Sequence, residues 1–177
     1  SPNTDGLRDF HEEQKLKDLL LTLNKIKKEN KTNIPLLIKI SPDISDDYIP
    51  DITDIALKND ISGLILTNTT ISHRDKLINK FKKEEGGLSG EPLQQISTNI
   101  IKKFYKQLNG KIPIIGVGGI NSGKSAYEKI IAGASLLQLY TGLVYKGPSL
   151  VKNIKKELIQ ILKEDGLNNI KEAIGKS

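Results

Sequence analysis

The chain has 177 residues, 37% of them apolar, and no Pro/Gly/Ser tract, repeat or low-complexity block divides it, so one domain with a substantial core is expected. The absence of cysteine excludes disulfides, thiolate metal sites and a cysteine nucleophile within these residues, and no metal site is expected. The net charge of +6 rests on lysine, because Arg8 and Arg74 are the two arginines and aromatics make up 5%. A nucleic-acid face, which interleaves arginine with aromatics, is therefore not expected. No apolar run approaches the roughly 20 residues that cross a bilayer, and no signal peptide is visible. The sequence begins at Ser1 and holds no methionine, so a piece of a longer polypeptide is expected, with any targeting or membrane segment upstream.

Leu16, Leu19, Leu20, Leu23 and Ile26 recur at the spacing of an amphipathic helix, predicted over residues 15–30. PLLIKI at 35–40 reads as a short strand. Ser45 or Asp46 can cap a helix running to about 58, with Ile49, Ile52, Ile55 and Ala56 inward. ISGLILT at 61–67 is a second strand. A charged polar stretch follows from 70 to about 90, a length typical of lids and binding loops. Pro92 opens a third helix with Leu93, Ile96, Ile100 and Phe104 on one face. Residues 112–117 form a third strand, and Ser122 or Ser125 caps a short helix ending near Gly133. SLLQLY at 135–140 is the fourth strand, and Pro148 opens the last helix, with Val151, Ile154, Leu158, Ile161 and Leu162 inward. Such alternation implies a parallel sheet with right-handed crossovers. The nearly continuous apolar runs imply cover on both faces. An open doubly wound sheet and half of a (β/α)₈ barrel, whose full form takes about 250 residues, both satisfy this order.

Polar residues gather at the carboxyl end of every predicted strand, where both architectures bind ligands. Lys39 and Ser41 end the first, Thr67-Asn68-Thr69-Thr70 the second, Gly118-Gly119 the third and Tyr140-Thr141-Gly142 the fourth. Lys39, inside an apolar strand, must snorkel or meet an anion. GVGGINSGKS at 116–125 joins a strand to a helix through glycines, an arrangement in which free N–H groups meet a phosphate. Gly118 to Ser125 also satisfies the G-x-x-x-x-G-K-[ST] pattern of nucleoside triphosphatases. That chemistry needs another apolar strand ending in Asp to hold Mg²⁺, and none of these strands ends so. Gly118-Gly119 and Tyr140-Thr141, at the tips of consecutive strands, suit one phosphate held between them, with the Thr141 hydroxyl assisting. His11, His73 and the charged run from Lys80 to Glu85 read as solvated surface.

Seven ordered blocks extend this pattern along the whole chain: SPNT with GLR at 1–8, PLLIKISPD at 35–43, GLILTNTT at 63–70, GGLSG at 86–90, IPIIGVGGINSG at 112–123, AGASLLQLYTGLVYKGP at 132–148 and KEAIG at 171–175. Together they resemble the C-terminal half of the dihydroorotate dehydrogenase family, flavin enzymes of pyrimidine synthesis. The resemblance implies a (β/α)₈ TIM barrel of which strands five to eight are present. It makes residues 1–177 the C-terminal part of a single FMN-binding barrel domain, with the N-terminal half-barrel upstream.

Members of this family divide by the base that takes a proton from dihydroorotate: Cys in the soluble class, Ser in the membrane-linked class that uses a quinone. Ser1 stands at that position, so the resemblance implies the quinone class, with dihydroorotate oxidised to orotate, hydride passing to FMN and electrons to a quinone. Thr4 matches a threonine of the proton relay. Asn3, Asn68 and Thr69 match residues that hydrogen-bond the orotate. Lys39 and Thr67 match contacts to the flavin ring. Gly90, Gly119, Tyr140 and Thr141 match residues around the ribityl phosphate, with Ser89 and Gly118 close by. The resemblance also implies membrane association through upstream segments, at the mitochondrial inner membrane in a eukaryote or the cytoplasmic membrane in a bacterium.

The residue types agree with that chemistry. A serine hydroxyl is a weak base that needs desolvation and a relay, and the Pro/Asn/Asp/Gly content of residues 1–10 suits a lid closing over substrate. A cationic Lys39 would stabilise negative charge on the reduced ring. Two alternatives remain on the residues alone: a non-catalytic barrel domain that binds a phosphate ligand, and a P-loop nucleotide hydrolase. Half a barrel exposes the apolar edges of its sheet, so these residues by themselves are expected to bind flavin poorly and to be inactive.

Overall fold

The computed structural model describes residues 6, 9–10, 12–72, 74, 77–78 and 80–177. In chain order these form α1 (Glu13–Glu29), β1 (Leu37–Ile40), α2 (Ile49–Lys58), β2 (Gly63–Leu66), α3 (Gln94–Leu108), β3 (Ile114–Val117), α4 (Gly123–Ile131), β4 (Leu136–Gln138), α5 (Thr141–Lys146) and α6 (Ser149–Glu164). The strands pair in parallel in the order β1-β2-β3-β4. An open doubly wound sheet reverses its strand order partway across. A sheet that adds each strand on the same side, with a helix between, is the wall of a barrel.

The register assigns two faces. Ile40, Leu64, Leu66 and Ile114 lie under the helices and are buried, with Ile52 and Ile55 of α2 and Ile101, Phe104 and Leu108 of α3. Burying each such aliphatic side chain contributes about 1.5–3 kcal/mol, so this face organises the fold. A second cluster joins Ile120 and Ala126 to Leu150 and Ile154 of α6. The other face of the sheet presents Leu37, Lys39, Ile65, Ile115, Val117, Leu136 and Gln138. The helices pack on one face, and the edge strands leave Leu37, Lys39, Leu136 and Gln138 exposed. The apolar runs reflect a face directed into a barrel rather than under a second helical layer.

Each strand begins one or two residues later than predicted; at β3, Pro113 has no N–H to donate and the ladder starts at Ile114. Leu19 and Ile26 of α1 and Val151 of α6, predicted inward, are exposed. Those helices bury narrower stripes, centred on Leu16 and Leu20 in α1 and on Leu150 and Ile154 in α6. A helix the sequence did not announce, α5, follows β4. Among the described residues no helix is long and apolar enough to cross a membrane.

Candidate functional site

The carboxyl ends of the strands surround a cavity of about 150 Å³. Its wall takes Lys39 from β1, Thr67, Asn68 and Thr69 from the end of β2, and Ser89 and Gly90 from the loop before α3. Gly118 and Gly119 follow β3, and Tyr140 and Thr141 lead into α5. These are all of the predicted site residues that fall among the described ones. Ser1, Asn3 and Thr4 lie outside the described residues, as do His11 and His73. Small-molecule pockets span about 300–1,000 Å³, so these residues form part of a wall that the open face of the sheet leaves incomplete.

The glycine turn is bare for steric reasons. Gly118 and Gly119 have φ of +118° and +72°, where side chains are strained. A Cβ on Gly119 would lie 2.5 Å from the Cβ and 2.6 Å from the Cα of Gln94, the first residue of α3. From behind, Ser97 donates its hydroxyl to the Val117 carbonyl at 2.5 Å. Among the described residues the N–H groups of Gly119, Thr141 and Gly142 donate to no acceptor; the last two open a helix, where no intrahelical partner exists.

A side-chain anchor brings the loop before α3 to this turn. Asp43, just past β1, accepts from the Thr70 hydroxyl and, at 3.0 Å, from the Ile71 N–H. Thr70 is fully buried and exchanges backbone hydrogen bonds with Leu88, at 3.1 and 2.7 Å. This bridge delivers Ser89 to the end of β4, where its hydroxyl lies 2.8 Å from that of Thr141. Gly90, at φ +81°, is needed because a Cβ would stand 3.0 Å from the Thr141 Cγ2. Farther out, the Arg74 guanidinium donates to the carbonyls of Lys82, Glu84 and Gly86, and residues 82–85 are exposed as predicted.

Some polar groups of the wall already have partners. Thr67 Oγ1 donates to the Asn68 carbonyl at 3.0 Å, and Asn68 Oδ1 accepts from the Thr69 N–H at 2.9 Å. Lys39 Nζ, the Asn68 NH₂ group and the Gln138 amide have no partner among the described residues and line the same cavity. A cationic side chain on β1, amide donors from the ends of β2 and β4, and bare backbone N–H groups after β3 and β4, all around one cavity, suit an anionic ligand that also carries a polar ring. Sequence reasoning missed Gln138, together with Leu93, Val117, Ile120 and Leu139. A glutamine inside SLLQLY carries the same signal as the lysine inside PLLIKI.

The end of the triphosphatase pattern lies elsewhere. Ser122 caps α4, with its Oγ accepting from the Ser125 N–H at 3.2 Å and Ser125 Oγ accepting from the Ser122 N–H at 3.0 Å. Ser125 is buried, Lys124 is exposed, and neither lines the cavity. The hydroxyl that would hold Mg²⁺ is engaged in the helix cap instead.

Fold and cavity together define a class: part of a β/α barrel with a ligand site at the carboxyl ends of its strands. The family model for dihydroorotate dehydrogenase matches residues 1–162, and the chain belongs to that family. It is 47% identical over 180 residues to the mitochondrial dihydroorotate dehydrogenase (quinone) of Arabidopsis thaliana, a match covering 99% of this chain and 39% of the plant protein. It is also 47% identical over 183 residues to dihydroorotate dehydrogenase (quinone) of Trichodesmium erythraeum, covering 99% and 47%. Among solved structures, DHODH from Eimeria tenella in complex with ferulenol superposes with a TM-score of 0.94 at 37% identity, over 99% of this chain and 51% of that one. The chain therefore spans about half the length, or less, of the relatives it matches.

Proposed function

We propose that residues 1–177 are the C-terminal part of a single FMN-binding β/α barrel domain, and that the whole protein oxidises dihydroorotate to orotate for pyrimidine synthesis and passes the electrons to a quinone. The observation that carries this reading is the convergence of ten predicted site residues, from five separate stretches of chain, on one cavity. The names of the relatives support the reaction.

The residues present fit FMN. Bare glycines and free N–H groups offer a phosphate cradle at one end, and Lys39 stands at the other. A bound flavin supplies the acceptor for hydride. The chain's own groups do the rest. The amides of Gly119 and Thr141 and the hydroxyls of Ser89 and Thr141 hold the phosphate, with Gly90, Gly118 and Tyr140 shaping the cradle. Lys39 and Thr67 hold the ring, and the charge of Lys39 stabilises electron density arriving there. Asn68 and Thr69, with Asn3, orient the substrate, since an amide offers both the donors and the acceptors a cyclic imide requires. Ser1 takes the proton and Thr4 relays it.

The N-terminal half-barrel completes the open face of the sheet. Segments outside these residues associate with a membrane, the mitochondrial inner membrane in a eukaryote or the cytoplasmic membrane in a bacterium. The test is anaerobic flavin bleaching by dihydroorotate in the full-length protein. Ser1→Ala is expected to slow bleaching by about 10²-fold or more with flavin still bound. Unchanged bleaching removes Ser1 from the reaction, and a protein without a flavin absorbance band leaves a phosphate-ligand-binding domain that is not catalytic.

A further inference from the structure

Lys129 of α4 is fully buried, a position lysine almost never takes without partners. Its Nζ donates to the Gln94 carbonyl at 3.1 Å and to the Thr98 hydroxyl at 3.0 Å. That hydroxyl itself donates to the Gln94 carbonyl at 2.8 Å. The preceding residue, Glu128, accepts from the Gln94 side-chain amide at 2.8 Å. Two consecutive side chains of α4 thus grip the first residue of α3, one by its backbone and one by its amide. Gln94 is the residue against which Gly119 lies, and Ser97, one turn on, holds the Val117 carbonyl that precedes the glycine turn.

Packing alone does not account for the amine. Burial disfavours its charge and lowers its pKa to about 7, and an apolar side chain of similar volume is often as stable or more stable at such a site. Without Lys129 the Gln94 carbonyl would still accept from Thr98. What the amine adds is a second fixed point on the turn of helix that backs Gly118 and Gly119.

We propose that Lys129 is a positioning residue for the phosphate end of the site: it fixes the first turn of α3, and through it the Gly118–Gly119 amides, where an anionic phosphate is held. The inference rests on the flavin reading of the cavity. Full-length apoprotein is titrated with FMN and with riboflavin, which share ring and ribityl chain and differ by the phosphate. Lys129→Met removes both donor bonds at nearly constant volume. It is expected to weaken FMN binding about tenfold, the loss of one hydrogen bond to a charged group, while riboflavin affinity and unfolding midpoint do not fall. Thr98→Val removes one of the two anchors and is expected to give a smaller loss of the same kind, which keeps the proposal testable if Lys129→Met does not fold. Equal losses for both flavins, or none, overturn the inference and leave the site reading standing. A wild-type protein that binds FMN no more tightly than riboflavin overturns both.

Discussion

Replacing Lys129 by Met changes how folding stability varies with pH, and the size of the change follows from burial. A free lysine amine titrates at 10.5; desolvation pulls Lys129 down to about 7, with Glu128 opposing in part. Below that value both folded and unfolded chains hold the proton, and the folded state carries the full penalty of a buried charge. Between about 7 and 10.5 the unfolded chain holds a proton the folded chain has released, so stability rises with pH. Above 10.5 neither state holds it, and the penalty is gone. A full unit inside the window is worth about 1.4 kcal/mol. Because titration of the folded state is only half complete at the lower edge, the rise from pH 7 to pH 9 comes to about 2 kcal/mol. Urea unfolding of full-length wild type and Lys129→Met at these pH values, followed by far-ultraviolet circular dichroism, isolates the effect, since other titrations are common to both proteins. The stability advantage of the variant is expected to shrink by about 2 kcal/mol across this range. A difference that stays constant to within about 0.5 kcal/mol refutes the claim that the amine is buried and easily discharged.

Gly119→Ala places a methyl group 2.5 Å from the Gln94 Cβ at a φ of +72°; a loss of about 1–3 kcal/mol and of flavin from the purified full-length protein is expected, and wild-type flavin content would count against the cradle. Thr70→Val removes a buried hydroxyl shared by Asp43 and the Ser72 N–H. A loss of about 1–3 kcal/mol and faster protease cleavage between residues 71 and 87 should follow; an unchanged cleavage rate contradicts the anchor. The Tyr127 phenol donates to the Asp165 carboxylate, which with burial raises its pKa to about 12. Ultraviolet titration should show a tyrosine ionising at that pH, and the transition should be missing in Tyr127→Phe.

The floor of the cavity was legible because polar residues and glycines interrupt an apolar pattern. Lys39, the Thr67–Thr69 run, the paired glycines and Tyr140-Thr141 all stood where a purely structural strand would place aliphatics or an ordinary turn. Those interruptions did not say which ligand to propose; that reading rests on seven blocks in order. Other features left no distinct trace. The α5 helix is six residues long, with glycine at its second position and no side-chain cap, so nothing in its sequence separates it from a loop. Lys129 sits in YEKII, where a lysine reads as part of a solvated helical face, and only the packing of α4 against α3 reveals its burial. Aliphatic runs look the same whether a helical layer or a barrel interior lies above them, so the runs alone did not choose between the two architectures.

The bridge between Thr70 and Leu88, with Asp43 behind it, separates the length of the intervening segment from the geometry of the floor. Residues added between 71 and 87 enter outside two points already tied together, so Ser89 and Gly90 need not move. Closing a loop of twice the length costs only about 0.6 kcal/mol. This stretch is therefore where sequence can diverge between lineages at little thermodynamic cost, and where an epitope tag or reporter can be grafted.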